Sequence, residues 1–492
     1  MKRTTLRPLI IFLVLAAMLA ANVFAADTAL HTTTAGESLS VVVPAALRPG
    51  DRVAIVAPAN PAVADRLQLA VELLEGRGFE VVVAENIEVT SAMGVGDGTD
   101  QVRADSFNSV ARDPSVRAII CIRGGYGSVH LLQNIDYAAL RRNRPIIVGY
   151  SDITAMQTAI LQNAGLLTFH GPMLSSNYGQ TAAFDALFAM LMEPKDSFPL
   201  QNLNGTEFTV INPGAAEGRI VGGNMTLIST TMGTPYELDV KDKVLFIEEL
   251  SEAPYKLHRY MWQLKLAGKL DEAAAIVIGD ILPDRVYDDP TISLKVILDV
   301  LRDVTVPILH NVRAGHDEDP FTIPMGAMVR IDGNTMTVTQ RVVEDAEEIG
   351  SRSITRAEFT SVLMDALDVE PGSAVLAEPF DDVPAGSPYY AQVTAARAMG
   401  IVSGAGNNLF IPNGALTNQD MYVMLYKALE KLGRLPELQT DEWIVFDDWD
   451  DVAEYARNPI QTLAKMYPLG SVLNPRVQVT YAASVAVAML IS

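Results

Sequence analysis

A chain of 492 residues with 37 basic and 59 acidic side chains carries a formal charge of −22, and 49% of it is hydrophobic against 20% charged. The length suggests about three domains, and the composition is that of globular segments rather than a disordered chain. So acidic a chain, with no basic cluster, argues against nucleic acid as a partner, because phosphate binding rests on Lys and Arg.

The chain opens with Lys2, Arg3 and Arg7, an apolar run from 9 to 21, and small residues at Val23 and Ala25. A basic start, a short apolar core and a small-residue cleavage site predict a signal peptide over 1–25. Its rival, a retained membrane anchor, needs a longer apolar run. Residues 26–44 read as a leader. The single cysteine, Cys121, sits inside an apolar strand, so the exported protein has no internal disulfide and the thiol is buried and inert.

Strands at 52–57, 80–84, 118–122 and 145–150 alternate with helical patterns, which predicts an N-terminal α/β domain over 45–195 with a parallel sheet wrapped by helices. In Arg123-Gly-Gly-Tyr-Gly-Ser128 two adjacent glycines break the third strand, and Leu131, Leu132 and Ile135 follow at helical spacing. Strand, glycine turn, serine, helix is an arrangement that lifts a hydroxyl off the carboxyl end of a sheet. Ser128 suits a helix cap equally well. Ser151, in Gly149-Tyr-Ser-Asp152, is read as the cap of the last helix of the domain.

The pattern breaks around 190–205, and 205–345 reads as a smaller α+β domain with short strands at 218–222, 243–247, 275–279 and 328–332. A histidine-based site has six candidates: His31, His130, His170, His258, His310 and His316. His170 and His316 stand in polar or glycine-containing loops, where catalytic groups collect, and the residues alone do not separate them. Glu248 and Glu249 end a strand and read, unaided, as an ordinary solvated strand end. No metal or other cofactor is expected, since there is no cysteine pair and no metal-ligand histidine spacing. Beyond 350 the texture changes to repeated units, each apolar helix preceded by a short threonine-bearing motif, which predicts mostly helical repeats over 350–492.

Several stretches resemble the LD-carboxypeptidase family of serine peptidases, whose relatives include self-immunity peptidases acting on microcin C. They are Arg123-Gly-Gly-Tyr-Gly-Ser-Val-His-Leu-Leu132, Gly149-Tyr-Ser-Asp-Ile-Thr154, His170-Gly-Pro-Met173, Gly222-Gly-Asn-Met-Thr226, Gly233-Thr-Pro-Tyr236, Leu245-Phe-Ile-Glu-Glu249 and Gly315-His316, in the family's order. The resemblance implies an N-terminal α/β sheet carrying the serine and a smaller domain supplying Glu and His. It implies the triad Ser128, Glu248 and His316, with the backbone N–H groups of Gly125 and Val129 as the oxyanion hole. Three positions depart from the family pattern: Ala59 for serine, His258 for aspartate and His130 for arginine.

The tail resembles surface-layer homology (SLH) repeats, modules that bind cell-wall polysaccharide. Ile354-Thr-Arg-Ala-Glu358 matches their binding motif, Leu416-Thr-Asn-Gln-Asp420 has Asn418 in place of arginine, and a third copy near 477–480 is weaker still. Arg356 is therefore the expected polysaccharide contact. Together these resemblances imply an exported, wall-associated enzyme that releases the terminal D-alanine from peptidoglycan tetrapeptides, and a homodimer is compatible with this reading. The alternatives are a peptidase of the microcin-immunity type and a non-catalytic wall-binding surface protein.

Overall fold

The computed structural model describes residues 40–88, 99–283 and 291–367 without a break, then 369, 378–385, 387–435, 443–466, 469, 472–484 and 487. The signal-peptide segment and most of the leader lie outside the described residues. Leu39–Arg352 forms one compact unit and Ser353–Ser492 belongs to another.

The first unit holds two sheets. The first is built from β1 (Arg52–Val56), β2 (Glu80–Val83), β3 (Val116–Cys121), β4 (Ile146–Gly149) and β5 (Thr168–His170), all parallel, in the order β5-β4-β3-β1-β2. β1, β3, β4 and β5 read as near-continuous apolar runs because both of their faces are buried. Val53 and Ile55 face one core and Ala54 and Val56 the other, where α2 (Thr99–Arg112), α3 (Tyr137–Asn143) and α4 (Thr154–Ala164) pack; α1 (Ala64–Glu75) covers the first of these faces.

The second sheet comprises β6 (Phe198–Leu200), β7 (Thr209–Asn212), β8 (Ala215–Asn224), β9 (Val244–Leu250), β10 (Ala275–Leu282) and β11 (Ile308–His310). After β12 (Ile323–Met325), the strands β13 (Met328–Asp332) and β14 (Thr335–Val338) complete it, in the order β6-β14-β13-β8-β9-β10-β11-β7. Its centre, β8 to β11, is parallel and its flanks are antiparallel. Phe246 and Val277 share a core with the first sheet, whereas Leu245 and Ile247 face helices Pro254–Leu266 and Ile292–Val300.

Two details depart from the sequence reading. The break at 190–205 contains a strand, β6, whose Pro199 is tolerated because β6 lies at a sheet edge. The segment after the second region's long loop returns to the first sheet, β12 pairing antiparallel with β5 through Ile323 and His170.

In the second unit, Arg356–Ala366, Asn418–Lys431 and Glu454–Ala464 are helices, as is Tyr390–Ala398. Three extended segments close a ring of hydrogen bonds: Ile354 N–H donates to Val479 O (2.9 Å), Val479 N–H to Leu416 O (2.8 Å) and Leu416 N–H to Ile354 O (3.2 Å). The weak third copy thus supplies the segment that closes the ring. Thr355 and Glu358 form a reciprocal capping box at the start of the first of these helices.

Candidate active site

Parallel strands end on one side of a sheet, and the crevice beyond their carboxyl ends is where α/β folds bind ligands. Three turns meet there, after β1, β3 and β4. The turn after β4 is the sharpest: Tyr150 is extended, Ser151 takes a positive φ of 63°, and the chain enters a helical turn at once. A non-glycine residue there is strained, and a strained serine between strand and helix is the geometry of a nucleophile elbow. Ser151 is only half-buried. A Cβ on Gly124 would sit 3.0 Å from Ser151 Cβ and 3.2 Å from its Oγ, so the Ser151 hydroxyl lies against the glycine turn that follows β3.

Ser128, the expected nucleophile, is placed differently. It is fully buried at the start of a short 3-10 turn, its hydroxyl donates to the Asp152 carbonyl, and its N–H donates to Asp152 Oδ2 at 2.8 Å. A hydroxyl committed to a backbone carbonyl and sealed from solvent cannot meet a substrate. Val129, expected with Gly125 to supply the oxyanion donors, lies inside the same short 3-10 turn as Ser128. Gly125 itself remains suitably placed. Its φ is +124°, it is exposed, and its N–H donates to no protein group among the described residues. Asp152 lies in the first turn after Ser151, where helical N–H groups have no acceptor within the helix.

Opposite this elbow stands His316. Its Nδ1 is 2.7 Å from Glu248 Oε2, with the Glu248 side chain fully buried and the ring 9% exposed. With Glu248 ionised, the proton sits on Nδ1 and leaves Nε2 as an acceptor. The ring of Tyr150, the residue before Ser151, lies 4.8 Å from the His316 ring between centroids. Burial works against a charged His316, but the Glu248 carboxylate and its hydrogen bond, with Glu249 and Asp280 behind them, outweigh it and raise the imidazole above its ordinary value.

The structure separates the two loop histidines. His170 is 1% exposed, packs against Phe246 and Tyr150, and has no hydrogen-bond partner on either nitrogen among the described residues. Burial pushes its pKa down to about 4, which keeps it neutral. The two strand-end glutamates are not solvated either. Glu249 is 3% exposed and accepts from Asn224 Nδ2, the Thr226 N–H and the Thr226 hydroxyl, each at 2.8 Å, so it braces the helix that follows β8. Glu248, its neighbour on the alternate face of β9, is the one that meets the imidazole.

Sequence reasoning missed Asp280. It stands near the end of β10, the parallel neighbour of β9, so its side chain arrives on the same side as Glu248. Asp280 Oδ2 accepts from the Asp317 N–H at 3.3 Å, and burial pushes its pKa up to about 6. Gly315 has a φ of +148°, and a Cβ on it would lie 3.1 Å from Glu248 Oε2 and 3.3 Å from Asp280 Oδ2, so the loop that carries His316 packs closely against both carboxylates. The readable signal was an aspartate closing an apolar strand, in Ile276-Val-Ile-Gly-Asp280.

Matches to known families agree with this layout. Residues 53–171 match the LD-carboxypeptidase N-terminal domain, 217–331 the LD-carboxypeptidase C-terminal domain, and 379–421 the S-layer homology domain. A probable murein peptide carboxypeptidase of Bacillus subtilis is 36% identical over 291 residues, which span 58% of this chain and 89% of that protein. The chain belongs to the LD-carboxypeptidase family. It is therefore a serine-type carboxypeptidase with an α/β catalytic region and a helical tail. The murein tetrapeptide carboxypeptidase of Pseudomonas aeruginosa is 26% identical over 299 residues, covering 58% of this chain and 94% of that one. Among solved structures, an MccF-like protein from Bacillus anthracis aligns with TM-score 0.54 and 27% identity over 61% of this chain and 100% of its own. The muramoyltetrapeptide carboxypeptidase from Oxalobacter formigenes aligns with TM-score 0.50 and 26% identity over 60% and 99%.

The S-layer homology domain marks this LD-carboxypeptidase as associated with the cell surface, and no described helix is long and apolar enough to cross a membrane. In that tail the Arg356 guanidinium lies 5.0 Å over the Phe410 ring, and its Nε donates to Phe410 O at 3.1 Å. The second repeat keeps the backbone contact without the charge: Asn418 Nδ2 donates to Leu473 O (3.2 Å) and Asn474 O (3.0 Å).

Proposed function

We propose that this chain is an exported LD-carboxypeptidase that removes the terminal D-alanine from murein tetrapeptides with Ser151 as nucleophile, His316 as general base and acid, and Glu248 as its partner. The observation that carries the reading is the pairing of a strained, half-buried Ser151 with the His316–Glu248 hydrogen bond across the Tyr150–His316 contact. His316 Nε2 takes the Ser151 proton as Oγ attacks the scissile carbonyl carbon. Glu248 holds the imidazole tautomer and offsets the charge that forms on it. The oxyanion is received by the N–H groups of Gly125 and Asp152. Collapse expels the D-alanine amine, which takes the proton from His316. Water, deprotonated by the same nitrogen, then attacks the acyl-enzyme carbonyl, releases the tripeptide and restores Ser151.

Relatives named as murein carboxypeptidases and an S-layer homology domain both favour a wall substrate. A second reading, cleavage of a microcin-type peptide-nucleotide, draws on the 26% identity to the microcin C7 self-immunity protein of Escherichia coli. Mass spectrometry of purified muropeptide tetrapeptide incubated with wild type, Ser151→Ala and His316→Ala distinguishes them. Loss of one alanine with wild type alone supports the wall reading, and its absence with all three turns to the peptide-nucleotide. For the tail we propose contact with wall polysaccharide through Arg356; Arg356→Ala is expected to weaken co-sedimentation with purified wall polysaccharide several-fold.

A further inference from the structure

Ser128, the residue that the sequence made conspicuous, is buried beside three turns that must stay in register for the site to exist. Its N–H and hydroxyl both go to Asp152, the residue next to Ser151. The Asp152 carboxylate also receives the Gly127 N–H and is 4% exposed, so it ties the end of the glycine turn to the start of the elbow. From below, the 2%-exposed Arg103 of α2 donates to the carbonyls of Gly127 and Pro58, joining the turns after β3 and β1. Asn60 completes the frame: its N–H donates to Gly124 O at 3.3 Å, and its side chain fills the place where a Cβ on Gly125 would fall, 2.3 Å away. Gly125 is thus the exposed middle of a turn whose two ends are fixed by other residues.

We infer that Ser128 and Asp152, backed by Arg103, are positioning residues that clamp the glycine turn to the elbow and so hold the Gly125 N–H at the oxyanion position beside Ser151. The physical argument is one of leverage. The turn after β3 and the turn after β4 stem from neighbouring strands, but strand pairing ends at Ile120 and Val148. Past that point strand pairing no longer keeps the register, and the hydrogen bonds that Asp152 receives from Ser128 and from the Gly127 N–H cross between the turns. An amide aimed at a developing oxyanion acts only in the transition state, so slack in the clamp lowers kcat and leaves ground-state binding intact. A misplacement of about 1 Å can cost on the order of 10²-fold in rate.

The inference rests on Ser151 being the nucleophile, and the experiment separates the two. Steady-state kinetics on muropeptide tetrapeptide are measured with the full chain carrying Ser128→Ala, Asp152→Asn or Ser151→Ala. Tetrapeptide affinity is measured by calorimetry for Ser151→Ala and for the Ser128→Ala/Ser151→Ala double variant. Expected are a roughly ten- to hundred-fold fall in kcat for Ser128→Ala with KM within about two-fold, a fall at least as large for Asp152→Asn, and equal affinities for the single and double variants. The two variants probe one clamp independently, so either one that folds suffices. Wild-type kcat in Ser128→Ala, or a loss that falls on affinity instead of kcat, overturns the clamp while an inactive Ser151→Ala keeps the nucleophile. Turnover by Ser151→Ala, with Ser128→Ala inactive, overturns the nucleophile reading and the clamp together.

Discussion

The turns after β3 and β4 carry the same local pattern, a buried strand, a break, a serine and a helical turn, yet they deliver their serines to opposite places. In the first, the glycines absorb the unusual backbone: Gly125 and Gly127 have φ of +124° and +109°, and the chain has finished turning when it reaches Ser128. That serine points inward and is fully buried. In the second, no glycine stands between the strand and the serine except Gly149 at the strand end, and Ser151 takes the positive φ itself. The strain marks the serine that faces the crevice. The glycines beside Ser128 serve its neighbour, since Gly124 lies against the Ser151 side chain.

The largest effect that could break this comparison belongs to the serines themselves. Ser151→Ala is expected to lower kcat by about 10⁴- to 10⁶-fold, the scale on which removal of a serine nucleophile acts, against the far smaller loss forecast for Ser128→Ala. Next comes the imidazole's partner. Glu248→Gln keeps the size of the side chain but no longer requires the proton on His316 Nδ1, and a fall of about 10⁴-fold in kcat is expected in the same assay. Glu249→Gln instead disturbs a helix brace, so its loss should be seen first as a lower melting temperature in calorimetry. Gly125→Ala tests the glycine turn. At φ +124°, with Asn60 2.3 Å from the new methyl, the turn must shift, and a loss of roughly 10²-fold in kcat is expected with the fold retained by circular dichroism.

The two turns also explain how much could be read from the sequence. The alternating apolar runs and helical patterns were enough for a parallel sheet in the first region, because burial on both faces leaves a strong compositional mark. Glu248 and His316 were legible through resemblance, and the structure brings them to 2.7 Å. The difference between the two serines was not legible, because two glycines are conspicuous in a sequence whereas a strained φ at a non-glycine residue leaves no compositional trace. Ser151 before an aspartate at a helix start reads as an ordinary cap, and only the backbone reveals otherwise. Asp280 was hidden for a different reason: it lies thirty-two residues beyond Glu248, and the parallel pairing of β9 with β10 makes them neighbours.

That hidden aspartate gives the smallest and most specific test. In the proposed reaction His316 acts as a base only when neutral, and Glu248, Glu249 and Asp280 together raise its pKa despite burial. The sign follows directly: kcat/KM is on its plateau above the raised value and declines as the pH falls through it. Asp280→Asn keeps an acceptor for the Asp317 N–H and removes one of the negative charges that favour the imidazolium. His316 then titrates lower, and the acid limb of the kcat/KM profile moves to lower pH while the plateau changes little. Asp280, itself raised to about 6, carries its charge through much of the range in which the limb is measured, so the displacement should be largest toward neutral pH. A limb that stays in place would mean that Asp280 only supports the Gly315–His316 loop, and that Glu248 alone sets the proton affinity of the base.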